Sequence, residues 1–137
     1  MTRFVVDASV IVTYLINKNK RLASVTKTLI QQANNKQIIL ESPPFFLIET
    51  VNALRYNLDD PSSSLAAWNK ILALPIKIRP LTPAHYQQII PLSYQNHTTA
   101  YDTAYHVLAI SSNATFLTCD QDYYKKSHHL GYIKLLG

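Results

Sequence analysis

Short, strongly apolar segments alternate with longer amphipathic segments along the whole of this 137-residue chain. The alternation restricts the fold more than any other feature, because strands separated by helices pair in parallel and are covered by helices on both faces. The pattern predicts strands at residues 3–7, 37–40, 76–79, 115–118 and 132–136. It predicts helices at residues 9–16, 22–32, 44–58, 65–74, 82–94, 99–111 and 123–129. The fold class is therefore α/β, with a central, mostly parallel sheet.

The composition is that of a globular protein, with 47% hydrophobic and 15% charged residues. We expect a single domain over residues 1–137, because a chain of this length buries a sizeable core without disulfides. The one cysteine, Cys119, excludes an internal disulfide framework and favours a reducing compartment. Apolar runs stay below the roughly 18 residues of a membrane span, and Arg3 and Asp7 interrupt any signal-peptide pattern. We therefore expect a cytoplasmic protein that does not associate with membranes.

The charge balance favours a polyanionic partner. Thirteen Lys and Arg residues outnumber eight Asp and Glu, which gives a net charge of +5 and a pI near 9.4. Basic surfaces bind phosphate backbones because neutralised phosphates release their counterions. The two glycines do not form a phosphate-binding run, so a P-loop or a dinucleotide-binding motif is excluded.

Five of the eight acidic residues are predicted to lie at one edge of the sheet. Asp7 and Asp120 follow the strands at 3–7 and 115–118, and the carboxyl ends of parallel strands share an edge. Glu49 and Asp102 lie in early turns of helices that begin at this edge, and Asp122 opens the last helix. Clustered carboxylates repel one another, and a hard divalent cation such as Mg²⁺ or Mn²⁺ relieves that repulsion. A basic protein with such a pocket has the chemistry of a metal-dependent nuclease.

Each acid also has a purely structural interpretation. Asp7 and Ser9 are common helix caps, and Thr99-x-x-Asp102 has the form of a capping box. Asp120 and Asp122 are suited to capping the last helix, and a solvated glutamate on a helix, as at Glu49, is commonplace. The metal-site hypothesis depends on all four strand-end and helix-start acids meeting in one place.

In order along the chain, four segments resemble the motifs of one family. They are an apolar strand ending Asp7-x-Ser9, Glu49 in Ile-Glu-Thr-Val-Asn-Ala-Leu-Arg, Asp102 in Tyr-Asp-Thr-Ala-Tyr, and Asp120 in Leu-Thr-Cys-Asp. The set resembles a PIN domain, and more narrowly the VapC-type toxins of type II toxin–antitoxin modules. The resemblance covers nearly the whole chain.

The resemblance implies a three-layer α/β/α fold and a ribonuclease that uses Mg²⁺ or Mn²⁺. It also implies an RNA substrate, a homodimer and a small antitoxin that blocks the site. Asp7, Glu49, Asp102 and Asp120 match the catalytic acids, of which Asp7, Asp102 and Asp120 are the expected metal ligands. Ser9 matches a supporting hydroxyl residue, and Asp122 matches an accessory acid that varies in the family.

Other positions carry weaker signals. Arg55, Lys125 and Lys126 are candidate RNA contacts, although solvated surface cations would look the same. His106 stands where the family more often has an aliphatic residue, and the basic segment Lys18 to Arg21 lies outside the motifs.

Two alternative functions remain. A haloacid-dehalogenase-like phosphohydrolase also begins with a strand ending in aspartate, but its second aspartate would stand where this chain has Ser9. A PIN-like module that binds RNA or protein without cutting would share the same fold.

Overall fold

The computed structural model describes residues 1–137 and has a five-stranded sheet in which every pair of neighbouring strands is parallel. The strands are β1 (Thr2–Val6), β2 (Ile38–Ser42), β3 (Ile76–Ile78), β4 (Thr115–Thr118) and β5 (Ile133–Leu135). Their order in the sheet is β3-β2-β1-β4-β5. The predicted α/β/α architecture is confirmed, and the sheet is entirely rather than mostly parallel.

Seven helices connect the strands. They are α1 (Ala8–Ile16), α2 (Lys20–Asn34), α3 (Phe45–Asn57), α4 (Pro61–Leu72), α5 (Pro83–Asn96), α6 (Ala100–Ser111) and α7 (Gln121–Ser127). A single 3₁₀ turn, His128–Leu130, follows α7 and ends at Gly131, whose φ of 72° is readily adopted only by glycine. None of these helices combines the length and the apolar character that a membrane span needs.

Three helices begin two or more residues earlier than the sequence pattern predicts, each because an Asn or Asp side chain caps the first turn. Asp60 accepts a hydrogen bond from Ser63 N at 2.8 Å, so α4 begins at Pro61 rather than at residue 65. Asn19 accepts one from Leu22 N at 3.1 Å, so Lys20 and Arg21 belong to α2 and not to a basic loop. Asp120 likewise starts α7 two residues before the predicted residue 123.

The order of the strands reverses at β1. From β1 the chain builds β2 and β3 on one side, and it returns through α5 and α6 to place β4 on the other side. In open parallel sheets, ligands bind beyond the carboxyl ends of the strands at such a reversal. The topology thus singles out the ends of β1 and β4, where Asp7 and Asp120 lie.

The core is densest where α6 packs on β1 and β4. Val5 of β1 pairs in register with Phe116 of β4, and both side chains are almost completely buried. The Tyr105 ring of α6 stacks on Phe116 with ring centroids 5.7 Å apart. The Tyr123 ring of α7 meets Phe116 edge-on, also at 5.7 Å. This aromatic layer fixes α6 and α7 against the sheet.

Replacement of Phe116 by alanine removes the centre of that layer. We expect Phe116→Ala to lower the free energy of unfolding by about 3 to 5 kcal/mol, because the lost ring leaves a cavity. Leu72→Ala is the matched control, since the Leu72 side chain is 65% exposed, and its effect should stay within about 0.5 kcal/mol. Urea unfolding followed by circular dichroism measures both, and equal effects of the two substitutions would contradict the assignment of the core.

Candidate active site

The carboxylate of Asp7 is buried at the point where β1 gives way to α1. Asp7 is the N-cap of α1, and its Oδ1 accepts hydrogen bonds from Ser9 Oγ at 2.5 Å and from Val10 N at 3.3 Å. Its Oδ2 accepts one from Thr118 Oγ1 of β4 at 2.7 Å. The side chain therefore caps the helix and is also held by the neighbouring strand, which a cap alone does not require.

Burial raises the pKa of Asp7 to about 6. Desolvation is the largest cause, and the hydrogen bonds from Ser9, Thr118 and Val10 oppose it by stabilising the charged form. The nearby Asp102 carboxylate raises the pKa further. Asp7 is thus an acid whose charge the fold tolerates poorly.

Glu49 of α3 is directed toward α6. The hydroxyl of Tyr105 donates a hydrogen bond to Glu49 Oε2 at 3.1 Å, and this bond joins the two helices across the site. Desolvation raises the pKa of Glu49, and the negative charges of Asp102 and Asp7 add to the increase. Glu49 is therefore not a solvated surface glutamate.

Asp102 lies in the first turn of α6, and its charge raises the pKa of both Asp7 and Glu49. Thr99 caps this helix by accepting a hydrogen bond from Asp102 N at 3.1 Å, but the return bond that would complete a capping box is absent. Burial raises the pKa of Asp102, the Thr99 hydroxyl lowers it, and the charges of Asp120 and Asp122 raise it. Its carboxylate is thus available to a ligand.

Asp120 and Asp122 lie at the start of α7 and differ in their surroundings. Asp120 is half-buried and caps α7 by accepting a hydrogen bond from Tyr123 N at 3.0 Å. Asp122 is exposed and forms an i,i+4 ion pair with Lys126 at 3.2 Å. Asp122 therefore already has a cationic partner, whereas Asp120 has none.

Asp7, Glu49, Asp102 and Asp120 lie close enough to perturb one another, and no Lys, Arg or His side chain forms a salt bridge with any of them. The structure has no group of three or more His, Cys, Asp or Glu side chains that are arranged to hold a metal ion. The four acids nevertheless fit Mg²⁺ chemically, because all donors are carboxylate oxygens and this ion uses one or two carboxylates and keeps several waters. A cation would also offset the uncompensated negative charge.

Two residues that hold the acids were missed by the sequence analysis. Thr118 binds Asp7 and also accepts a hydrogen bond from Asp120 N at 3.1 Å, so it connects the two strand-end acids. Tyr105 binds Glu49. Both lie within the quoted motifs, Leu-Thr-Cys-Asp and Tyr-Asp-Thr-Ala-Tyr, but only the tertiary structure shows what they contact. Ser9, which was predicted to support the site, also accepts a hydrogen bond from Cys119 N at 3.3 Å.

His106 is completely buried and joins α6 to the segment around α7. Its Nε2 donates to the Gly131 carbonyl at 2.7 Å, so in the neutral ring Nδ1 accepts from the Tyr123 hydroxyl, also at 2.7 Å. Burial lowers the pKa of His106, which favours this neutral form. The histidine thus makes two directional hydrogen bonds, one of which fixes Tyr123, three residues from Asp120.

The three candidate RNA-binding cations lie outside the acidic group. Arg55 is exposed near the end of α3, with its guanidinium 5.9 Å from the centre of the Tyr56 ring. Lys125 is exposed on α7, and Lys126 is paired with Asp122 and donates to the His97 carbonyl at 3.2 Å. Of the three, Lys126 alone forms an ion pair with one of the predicted site acids, Asp122.

The family model of the PIN domain matches residues 4–128 of the sequence. This chain belongs to the PIN-domain family. The match includes β2, β3 and β4 and all but the first two residues of β1, and it ends before β5. A comparison with curated proteins found no match.

Several solved structures share the fold of this chain. PAE2754 from Pyrobaculum aerophilum superposes with a TM-score of 0.68 at 20% identity, covering 96% of this chain and 83% of that one. VapBC2 from Rickettsia felis, bound to a DNA fragment from its promoter, gives 0.69 at 13% identity, with 98% and 97% covered. VapC20 from Mycobacterium tuberculosis, a toxin that cleaves the sarcin–ricin loop, gives 0.66 at 14% identity, with 90% and 95% covered. At these identities the likeness establishes the fold.

The raised pKa of Asp7 gives a stability prediction with a definite sign. The folded state holds the proton more tightly than the unfolded chain, so stability should fall as pH rises from about 4 to about 6. The free energy of unfolding of Asp7→Asn, measured in EDTA at pH 7, should therefore exceed that of the natural protein by about 2 to 3 kcal/mol. The difference should vanish below about pH 3, where Asp7 is protonated in both the folded and the unfolded state.

Asp60→Asn is the control for this measurement. Asp60 is fully exposed and its pKa is lowered by hydrogen bonds from Ser63, so its neutralisation should not stabilise the protein at pH 7. Urea unfolding at a series of pH values measures both variants. A less stable Asp7→Asn protein at pH 7 would show that the buried charge is not the destabilising feature described here.

Proposed function

We propose that the protein is a metal-dependent endoribonuclease and the toxin of a type II, VapBC-like toxin–antitoxin module. The observation that carries the proposal is the position of Asp7, Glu49, Asp102 and Asp120 at the strand-order reversal of a PIN fold, without a cationic partner. The net charge of +5 agrees with an RNA substrate. VapC20, which shares the fold, is an RNA-cleaving toxin.

Asp7, Asp102 and Asp120 would hold Mg²⁺ or Mn²⁺, either directly or through water. When bound, the ion supplies Lewis-acid polarisation of the phosphodiester and favours ionisation of a water. Ser9 and Thr118 would keep the Asp7 carboxylate in one orientation, as their hydrogen bonds to its two oxygens already do. Asp122 would not bind the ion, because Lys126 pairs with its carboxylate. Its negative charge would still raise the pKa of Asp102.

Glu49 would orient the attacking water and accept its proton. The Tyr105 hydroxyl binds Oε2, so Oε1 remains available to a water. Burial raises the pKa of this carboxyl, which makes it a stronger base than a solvated glutamate. The leaving oxygen would take a proton from solvent, and Glu49 would release to solvent the proton that it accepted from the water.

Two exposed apolar surfaces support protein partners. A groove of about 710 Å³ between α3 and α4 is lined by Val51, Leu58, Leu65 and Trp68, among others. We propose that a small antitoxin binds here, as VapBC2 and FitAcB from Neisseria gonorrhoeae are toxin–antitoxin assemblies of the same fold.

The second surface is a stripe on α5 formed by Tyr86, Ile90 and Tyr94, each more than half exposed, which we propose is a homodimer contact.

The family match does not support the haloacid-dehalogenase alternative, and Ser9 binds Asp7 rather than acting as a second acid. A PIN-like module that binds RNA without cutting it remains the second candidate. It would keep the fold and the basic surface, and it would bind RNA equally well with and without Mg²⁺.

Cleavage of a mixed RNA substrate in Mg²⁺ tests the proposal. We expect the natural protein to cleave RNA, EDTA to stop cleavage, and Asp102→Asn and Asp120→Asn to reduce it to background, because each removes a proposed metal ligand. Asp59→Asn, an exposed acid outside the site, should cleave as the natural protein does. Cleavage that persists in EDTA, or in both site variants, would refute a metal-dependent nuclease.

The supporting role of Ser9 predicts a separate effect on metal binding. Ser9→Ala removes the donor to Asp7 Oδ1, and we expect Mn²⁺ affinity to fall by about 10- to 100-fold, as for other residues that orient metal ligands. Titration calorimetry measures the affinity. Ser62→Ala on the exposed start of α4 is the control and should bind Mn²⁺ unchanged, while unchanged binding by Ser9→Ala would remove this role.

A further inference from the structure

A buried glutamate outside the acidic site holds two arginines. Glu41 of β2 is 1% exposed, and its Oε1 accepts from Arg3 Nη2 at 2.6 Å and from Arg79 Nη1 at 3.0 Å. The guanidinium groups come from β1 and from the end of β3, so one carboxylate joins three adjacent strands. Two of the four arginines in the chain are fixed at this one position.

The two guanidinium groups carry more positive charge than is needed to neutralise the Glu41 carboxylate. One guanidinium is enough to neutralise a buried carboxylate, and the second leaves a net charge of +1. Lys77 lies directly opposite Glu41 in the β2–β3 register and is exposed, which brings the local charge to +2. Both arginines remain more than one-third exposed, so each has N–H groups that face solvent. The result is a rigid, positively charged surface of Arg3, Lys77 and Arg79.

This surface is connected to the acidic site through the backbone. Arg79 N donates to the Ser42 carbonyl at 2.8 Å, and Ser42 Oγ donates to the carbonyl of Val6 at 2.5 Å. Val6 immediately precedes Asp7. Two strand spacings, about 10 Å, separate the ends of β1 and β3, and both ends lie at the same edge of the sheet.

We propose that Arg3, Lys77 and Arg79 form a phosphate-binding surface that holds the RNA backbone beside the scissile phosphodiester. Guanidinium groups bind phosphate oxygens through two parallel hydrogen bonds, and the buried Glu41 carboxylate holds both groups in place before RNA arrives. The acidic pocket repels phosphate, so a fixed cationic surface next to it supplies the affinity that the pocket lacks. This inference rests on the proposed function for its substrate.

RNA binding at several salt concentrations tests the surface independently of cleavage. The probe is a fluorescein-labelled, single-stranded RNA with 2′-O-methyl groups, measured by anisotropy in EDTA. We expect Arg79→Gln and Lys77→Gln each to weaken binding several-fold, and each lost phosphate contact to reduce the slope of log K against log salt by about 0.7. In the cleavage assay, KM should rise while kcat stays close to that of the natural protein.

Two control variants separate a binding surface from a structural ion pair. Lys27→Gln removes the same charge from an exposed position on α2 without an ion pair, and it should leave the salt slope unchanged. Arg79→Lys keeps the charge, and it should restore most of the slope even where thermal unfolding shows lower stability. If Lys77→Gln and Arg79→Gln bind RNA with the natural affinity and slope, the cluster is structural only and the proposal is overturned.

The same measurements distinguish this failure from that of the proposed function. A natural protein that does not cleave RNA, but whose RNA affinity depends on Arg79 and Lys77, would refute the nuclease and support the binding surface. A natural protein that cleaves RNA with the same KM as Arg79→Gln would support the nuclease and overturn the binding surface.

Discussion

The burial of the Asp7 carboxylate at the end of β1 is the constraint on which the arrangement of the site depends. Three donors from two different elements bind its oxygens and offset part of the free-energy cost of burying the charge. Thr118 is one of these donors and also binds Asp120 N, so the β1 and β4 ends are locked together. The same contacts that satisfy one buried charge therefore bring a second acid beside it.

The remaining acids are positioned by packing around the aromatic layer. Tyr105 stacks on Phe116 below the site, and its hydroxyl reaches Glu49 of α3. Tyr123 packs on the same ring, is bound by His106, and lies in the helix that Asp120 caps. The core and the acidic site therefore share side chains. The rings of Tyr105 and Tyr123 make apolar contacts in the core, and their hydroxyl groups form hydrogen bonds at or near the site. This explains how an acidic pocket is kept rigid without a cationic partner.

Charge is distributed unevenly around the parallel sheet. The acids gather at β1 and β4, while Arg3, Lys77 and Arg79 surround Glu41 at β2 and β3. A phosphate polymer that runs from the end of β3 towards the end of β1 would be attracted first and then repelled, and a bound divalent ion would remove the repulsion. The proposed nuclease and the proposed phosphate-binding surface are two parts of this single electrostatic arrangement.

The sequence by itself determined the fold class and the edge at which Asp7 and Asp120 lie, because strand and helix periodicities are local and the ends of parallel strands must share an edge. It did not determine the starts of α2, α4 and α7, where a single capping side chain outweighed the apolar pattern. Only the tertiary structure decided that Thr118 and Tyr105 hold the acids, that His106 fixes Tyr123, and that Glu41 joins Arg3 to Arg79. Those contacts join residues far apart in the chain, and their geometry depends on side-chain packing that no local pattern records.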